Sequence, residues 1–211
     1  MIPKRLQDLV EALRILPSVG EKSAFRMALH LLDLPDENPL KLANAIINAK
    51  ENILRCSICN GLSESAICPI CSDEKRDKSV ICIVERQSDM FAIEKYQKFR
   101  GVYHVLGGLI SPITGITPDK LSLSLLKERV EAGGISEVII ALGFSGEAET
   151  TIFYIQKVLS EFPLTISKLA QGLSSGLEII HADKHTLNQA IDNRKIISGG
   201  IMPDSYNTKR G

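Results

Sequence analysis

The sequence has no tryptophan, few aromatic residues and no apolar run that could cross a bilayer. Aromatic residues make up 5% of the 211 positions. A membrane-spanning helix needs about 20 consecutive apolar residues, and runs such as 138–142 are far shorter. Lys and Arg total 25, as do Asp and Glu, so the formal net charge is zero. Binding to nucleic acid would therefore need a local basic face, because the molecule as a whole carries no excess positive charge.

The sequence also lacks a Gly-x-x-x-x-Gly-Lys motif, an internal repeat and low-complexity segments, so it predicts neither an ATPase nor a repeat protein. With 44% hydrophobic residues, the chain is long enough for one main domain and one or two small modules. Residues 1–5 lead into a charged amphipathic stretch without the apolar core of a signal peptide. We therefore expect a cytoplasmic protein.

Four of the five cysteines form two C-x2-C pairs, Cys56 with Cys59 and Cys68 with Cys71. Two such pairs supply four thiolates around one tetrahedral centre and leave no position for water, which is typical of structural zinc. The sequence thus predicts one Zn²⁺ per chain. The alternative is a pair of disulfides, which would require an oxidising compartment. Cys82 lies in an apolar run and is expected to be a core residue.

The N-terminal stretch predicts two short helices joined by a turn. Apolar residues recur at helical spacing from Leu6 to Leu16, Pro17 ends that pattern, and a second set begins at Ala24. This arrangement is similar to a helix-hairpin-helix, in which a glycine, here Gly20, lets the backbone approach a phosphate.

Two cations follow that glycine. Lys22 and Arg26 are four residues apart, so they share one helix face and can flank the same DNA backbone. The alternative is a helical hairpin that serves packing alone.

The remainder alternates between apolar strands and helices, which predicts a mostly parallel α/β sheet covered by helices on both faces. The predicted strands are 80–84, 102–106, 138–142 and 165–169, and the predicted helices between them are 89–96, 119–132 and 150–162. A further helix, 40–54, is predicted before the cysteines and leads into the first pair. Functional groups in such sheets collect beyond the carboxyl ends of the strands. Glu85, Asp89 and Glu147 are expected at this edge.

In combination, these pieces resemble one family, the bacterial recombination mediator RecR. The motifs that carry the resemblance are Leu16-Pro17-x-x-Gly20-x-Lys22-Ser23-Ala24-x-Arg26, the four cysteines, Ile83-Val84-Glu85 with Asp89, Gly101-Val102-Tyr103-His104-Val105-Leu106-Gly107-Gly108, Ile110-Ser111-Pro112 with Gly115-Ile116, Leu169-Ala170-x-Gly172, and Ala182-Asp183 with Thr186-Leu187. The resemblance implies a helix-hairpin-helix DNA-binding module (1–54), a four-cysteine zinc finger (55–73), a Toprim domain (78–172) and a short C-terminal segment (173–211).

The resemblance also implies a function. Members of the family are non-catalytic DNA repair and recombination mediators that bind DNA independently of sequence. They form ring-like oligomers, work with RecO and sometimes RecF, and help to load RecA onto single strands covered by SSB. We expect Gly20, Lys22 and Arg26 to contact DNA, and Glu85, Asp89 and Glu147 to dock a partner. We also expect a homo-oligomer, either a dimer or a tetrameric ring.

Two other functions compete with this one. Toprim enzymes hold magnesium through a Glu and an Asp-x-Asp pair to act on phosphodiesters; the chain has Glu85, but Gly143 and Ser145 stand where the aspartates belong. Alternatively, the acids form a solvated edge that serves only solubility.

The chain departs from the family's usual residues in two stretches. Gly143 and Ala148 stand for Asn and Gly, and Ser174, Leu177, Ile180 and His181 stand for Pro, Gly, Glu and Tyr.

Overall fold

A computed structural model describes residues 2–96, 98–170, 172–173, 176 and 178–194. The chain divides into two compact units, Met1–Ser57 with Gly61–Ser72, and Ile58–Asn60 with Asp73–Gly211. Much of the predicted C-terminal segment, at positions 174–175, 177 and 195–211, lies outside the described residues, as do the departures at Ser174 and Leu177. Within the described part, no helix has the length and apolar character needed to span a bilayer.

The first unit is a helical module followed by a small hairpin. Its elements are α1 (Lys4–Leu13), α2 (Glu21–Asp33), α3 (Glu37–Asn52), β1 (Leu54–Arg55), β2 (Leu62–Ser63) and the short α4 (Pro69–Ser72). Helices α1 and α2 pack through Val10, Ala24 and Ala28, which are buried. The two alanines let the helix backbones approach closely, so the pair is held by a small apolar seam.

Helix α3 begins at Glu37, three residues before the predicted start at position 40. Pro39 lies in its first turn, where the missing N–H has no intrahelical acceptor to lose, so proline does not delay the start. None of the residues of α3 is buried. Large apolar side chains exposed along this helix are Leu40, Leu42, Ile46 and Ile47.

The second unit contains a four-stranded parallel sheet, as the sequence predicts. Its strands are β3 (Val80–Val84), β4 (Val102–Val105), β5 (Glu137–Ala141) and β6 (Thr165–Lys168), and its helices are α5 (Gln87–Glu94), α6 (Leu123–Glu131), α7 (Gly146–Leu159) and α8 (Lys184–Asp192). The spatial order is β4-β3-β5-β6. Register pairs Val84 with Val105 on one side and with Ala141 on the other, so three strands end level at one edge.

Helices cover both faces of this sheet. On one face, α6 and α7 supply Leu126, Ile152 and Ile155 to a core with the strand residues Ile81 and Ile83. On the other face, the Tyr103 hydroxyl of β4 donates to Glu94 Oε2 of α5 at 2.8 Å.

Arg76 also contacts residues on this second face. Its guanidinium pairs with the carboxylate of Glu94 and donates from Nη1 to the Gly101 carbonyl at 3.1 Å. Burial, helped by the Glu94 carboxylate, raises the pKa of Tyr103, so its hydroxyl remains a neutral donor. The α/β fold predicted from the sequence, with helices on both faces, is confirmed.

His104 in β4 is fully buried, as expected of a strand residue. Its Nε2 lies 2.9 Å from the Ser122 carbonyl, while Nδ1 has no hydrogen-bond partner among the described residues. Burial, opposed by the bond to Ser122 and reinforced by the charge of Arg129, lowers the pKa of His104 to about 4. The neutral imidazole is therefore the form that the core accommodates.

The first prediction concerns acid stability. The unfolded chain protonates His104 near pH 6.5, whereas the folded protein resists protonation until about pH 4. Between these values the unfolded state binds the additional proton, so the free energy of unfolding falls as pH falls, by about 3 kcal/mol in total. Denaturant titrations at several pH values should show this loss in the native chain and a flatter profile in His104→Gln.

Both proteins retain the thiolate metal site, which is itself sensitive to acid. The difference between their free energies of unfolding at each pH therefore excludes the contribution of that site. An identical pH slope in both proteins would contradict the assignment to His104.

Candidate functional site

The four paired cysteines come together as the sequence predicts. Cys56, Cys59, Cys68 and Cys71 are all buried, and their sulfur atoms lie within 4.8 Å of one another. Four sulfurs bound to one zinc ion at about 2.3 Å would be separated by about 3.8 Å, so a small contraction completes the tetrahedron. None of the five cysteines forms a disulfide.

Backbone hydrogen bonds shape each cysteine pair for metal binding. The Cys68 N–H points to Cys56 Sγ at 3.3 Å, and the Cys71 N–H points to Cys68 Sγ at 3.4 Å. Donors of this kind hold the sulfur atoms in position for a metal ion. Asn60 closes the first turn with a positive φ of 60°, a conformation that asparagine tolerates better than most residues. The site therefore fits Zn²⁺ with four thiolates and no open position.

Residues 58–60 of the first cysteine turn belong to the second unit, and within it they bond to β4. The carbonyl of Cys59 accepts from the Val105 N–H at 2.8 Å, and Asn60 Nδ2 donates to the Val105 carbonyl at 2.8 Å. Cys59 is thus a metal ligand whose backbone extends the outer side of β4, a connection that the cysteine spacing did not reveal.

The predicted DNA-binding residues lie at the start of α2. Lys22 and Arg26 are both exposed, and neither forms an ion pair among the described residues. Gly20 is the N-cap of α2, with an ordinary φ of −82°, and a methyl group added there would meet nothing within 4 Å. The glycine is therefore required neither by the backbone nor by packing inside the chain, and it leaves open space in front of the helix N-terminus.

The residue with an unusual backbone in this turn is Ser18, whose φ is 64°. Left-handed geometry costs a non-glycine residue about 1–2 kcal/mol. The sharp reversal between α1 and α2 is therefore made at Ser18, two residues before the glycine that the sequence singled out. The motif spacing gives the length of the turn but does not indicate which residue reverses the chain.

The three predicted docking acids lie at one sheet edge, but each already has a partner within the chain. Glu85 Oε1 accepts from Arg86 Nε at 2.9 Å. Asp89 Oδ2 accepts from the Arg86 N–H at 2.9 Å and so caps α5. Glu147 Oε1 accepts from Ser111 Oγ at 2.6 Å. Among the described residues these carboxylates do not form a group able to ligate one metal ion.

Glu147 lies in the first turn of α7, because this helix begins at Gly146 and not at the predicted position 150. Ser145 is its N-cap, with Oγ accepting from the Ala148 N–H at 3.1 Å. Serine is a preferred residue at this position, and the sequence signal was missed because the apolar periodicity starts later. Ala148, one of the departures from the family pattern, is fully buried, so the core accommodates its methyl group.

Comparison with known proteins agrees with the fold and with the four-cysteine zinc site. Family profiles match three parts of the chain: the RecR helix-hairpin-helix at residues 6–50, the RecR four-cysteine zinc finger domain at residues 53–73 and the Toprim domain at residues 79–170. Similar proteins include the recombination protein RecR of Acinetobacter baylyi, 44% identical over 92% of this chain and 98% of that protein. The same protein of Natranaerobius thermophilus is 40% identical over 92% and 97% of the two chains, and that of Flavobacterium psychrophilum is 41% identical over 90% and 93%.

The second prediction concerns the metal. Purified, reduced protein should contain about one zinc per chain, and a chelator should lower its thermal stability, because metal binding contributes folding free energy directly. Cys56→Ser and Cys71→Ser should lose zinc. Cys82 is the matched control: it is buried and its pKa is raised by burial to about 12, so Cys82→Ala should keep the metal.

A thiol reagent should detect four cysteines after chelation and the fifth only after denaturation. Metal analysis that finds no zinc in fresh reduced protein would refute the site.

Proposed function

This chain belongs to the RecR family of recombination proteins, and from that premise we propose that it is a non-catalytic mediator of DNA repair and recombination. In this proposal it binds DNA through the helical hairpin formed by α1 and α2. It recruits RecO, with RecF as an additional partner, through the sheet edge that carries Glu85, Asp89 and Glu147, here called the Toprim edge. Its action helps to load RecA onto single-stranded DNA covered by SSB. We place this function in the cytoplasm, where thiols stay reduced and available for zinc.

One observation carries the proposal. The sheet edge where a Toprim enzyme would hold metal has carboxylates that are engaged in internal hydrogen bonds and do not converge. Phosphoryl transfer needs closely placed metal ligands to neutralise developing charge. An edge of separate, fixed acids is better suited to matching a basic protein surface, where complementary charge speeds encounter and fixes orientation.

DNA binding is proposed for Gly20, Lys22 and Arg26. The two cations are exposed one helical turn apart, beside the N-terminus of α2, whose first N–H groups favour an anion. The open space in front of Gly20 would let a phosphate approach the backbone. Contacts of this kind read no bases, so binding should be independent of sequence.

A homo-oligomer is proposed as the working form. Helix α3 buries none of its residues and exposes a set of large aliphatic side chains. Exposed apolar surface of this extent is typical of a protein interface, and a second copy of the same helix is an occupant of matching chemistry. Light scattering of the purified protein, alone and with DNA, measures whether the assembly is a dimer or a tetrameric ring.

The third prediction tests DNA binding by the helical hairpin of α1 and α2. The double variant Lys22→Ala/Arg26→Ala should weaken binding equally for unrelated DNA sequences and reduce the log–log salt slope by about two, since each lost phosphate contact removes about one released counterion. Both side chains are exposed, so folding should be unaffected. The control Lys127→Ala/Lys157→Ala removes the same charge from α6 and α7, and it should keep the native slope.

A further variant separates geometry from charge. Gly20→Ser places a preferred N-cap residue at the start of α2, so stability should be kept or raised, while its side chain fills the space needed by the phosphate. DNA affinity should fall. Full affinity in Gly20→Ser, or an unchanged salt slope in the double variant, would show that the DNA-binding face lies elsewhere.

The fourth prediction tests the Toprim edge. Glu147→Lys reverses the charge at the start of α7, so it should abolish RecO binding and RecA loading, while zinc content and DNA binding by the hairpin remain. Nuclease, primase and strand-passage assays with magnesium should be blank for both proteins. If Glu147→Lys binds RecO normally but loses a magnesium-dependent activity on DNA, the enzyme alternative replaces the proposal.

A further inference from the structure

The loop after β4 ends in a tight turn that presents one isoleucine to solvent. Ile113 is 95% exposed, whereas Ser111, two residues earlier, is 3% exposed and Ile116 packs against the core. Ile113 follows Pro112 in a turn closed by the Gly115 N–H, which donates to the Pro112 carbonyl at 3.3 Å. Polar residues and proline are favoured in such turns, while a β-branched apolar side chain contributes nothing to them.

Hydrogen bonds on both sides hold this turn in place. Ser111 and Ile116 exchange two backbone hydrogen bonds of 2.9 Å across its base, and Lys120 Nζ donates to the Gly115 carbonyl at 2.8 Å. A single exposed apolar residue on a surface is common and needs no explanation. An isoleucine held at the tip of a fixed turn is different, because little conformational entropy remains to be lost when a partner covers it.

Helix α7 anchors the base of the turn. Glu147 and Thr151 lie one helical turn apart, and they bond to two adjacent loop residues: Ser111 Oγ donates to Glu147 Oε1 at 2.6 Å, and the Ile110 N–H donates to Thr151 Oγ1 at 2.9 Å. Thr151 Oγ1 in turn donates to the Glu147 carbonyl at 2.7 Å. Glu147 therefore fixes the turn that carries Ile113 as well as contributing charge.

The surroundings of the turn indicate the chemistry of its partner. The same sheet edge carries Asp89 and Glu147, neither of which pairs with a cation among the described residues. It also carries a second exposed apolar side chain, Phe144, which lies between β5 and α7 and is 62% exposed. A surface that complements this edge needs positive charge beside an apolar pocket.

We propose that Ile113 is the apolar anchor of the partner-docking edge, that it inserts into an apolar pocket on a basic protein surface, and that Glu147 acts as its positioning residue. This inference rests on the proposed function, because it assigns the contacts made by the partner at the Toprim edge. The partner buries Ile113 and places its cations opposite Asp89 and Glu147. Electrostatic attraction then sets the approach, and burial of the isoleucine slows dissociation.

The fifth prediction concerns the affinity of the full chain for purified RecO, which serves as the probe and is titrated over a range of salt concentrations. Ile113→Ala should raise the Kd about 30-fold, the size typical of an interface hot spot, with the native salt slope, because no charge is changed. Phe153→Ala is the matched control: it removes an exposed apolar side chain from α7 away from the edge, and it should leave the Kd at the native value. Ile113→Val should restore most of the affinity.

Two variants separate the two contributions of Glu147. Glu147→Gln keeps an oxygen that can accept from Ser111 but loses the charge, so it should weaken binding modestly and flatten the salt slope. Ser111→Ala keeps the charge but removes the bond to Glu147 and the 3.4 Å bond from the Thr114 N–H within the turn, so it should weaken binding with the salt slope unchanged. Thermal melts of each variant show whether the fold is intact.

The outcomes distinguish this inference from the proposed function. If Glu147→Lys abolishes RecO binding but Ile113→Ala binds like the native chain, the anchor is refuted while docking at the Toprim edge stands. If Ser111→Ala has no effect, the positioning role of Glu147 is refuted. If the native chain does not bind RecO at all, the proposed function fails and the anchor fails with it.

Discussion

The hydrogen bonds along β3 determine where every group at the sheet edge lies. β3 is bonded on one side to β4 and on the other to β5, with Val84 level with Val105 and Ala141. A shift of one residue in either pairing would turn buried side chains toward the opposite face. Because four of the five residues of β3 are buried, such a shift would disrupt close packing on both faces of the strand and is disfavoured. The positions of Glu85, the loop after β4 and the start of α7 follow from this register.

The outer strand β4 would otherwise present an unpaired N–H at Val105. This N–H donates to the Cys59 carbonyl, and the Val105 carbonyl accepts from Asn60 Nδ2 as well as from Ser122 Oγ. Edge strands of a sheet are commonly protected from pairing with other chains by a covering segment, and here that segment includes a metal ligand. The backbone of Cys59 thus contributes to the sheet while its side chain serves the metal site.

Patterns with a strict local geometry were readable from the sequence, whereas contacts between distant segments were not. The zinc ligands follow from cysteine spacing, and the four strands follow from short apolar runs between turns. The starts of α3 and α7 were predicted too late. The sequence prediction placed Pro39 before α3, although the first turn of a helix tolerates proline, and Ser145 caps α7 ahead of the apolar pattern. The bond between Ser111 and Glu147 joins residues 36 positions apart, and no local signal marks either residue as the partner of the other.

Ser145 bears on the choice between the proposed docking role and metal chemistry at this edge. An aspartate at this position would cap α7 about as well as serine does, since both are preferred N-caps, so the fold does not require the neutral residue. With serine there, Glu147 and Glu149 in the first turn of α7 face no additional negative charge. The affinity of the edge for a divalent cation falls with each missing carboxylate. The proposed docking of a protein does not need such convergence. Separated charges on a fixed surface are enough to orient a partner, and in the proposal an exposed apolar side chain beside them supplies the burial that slows its release.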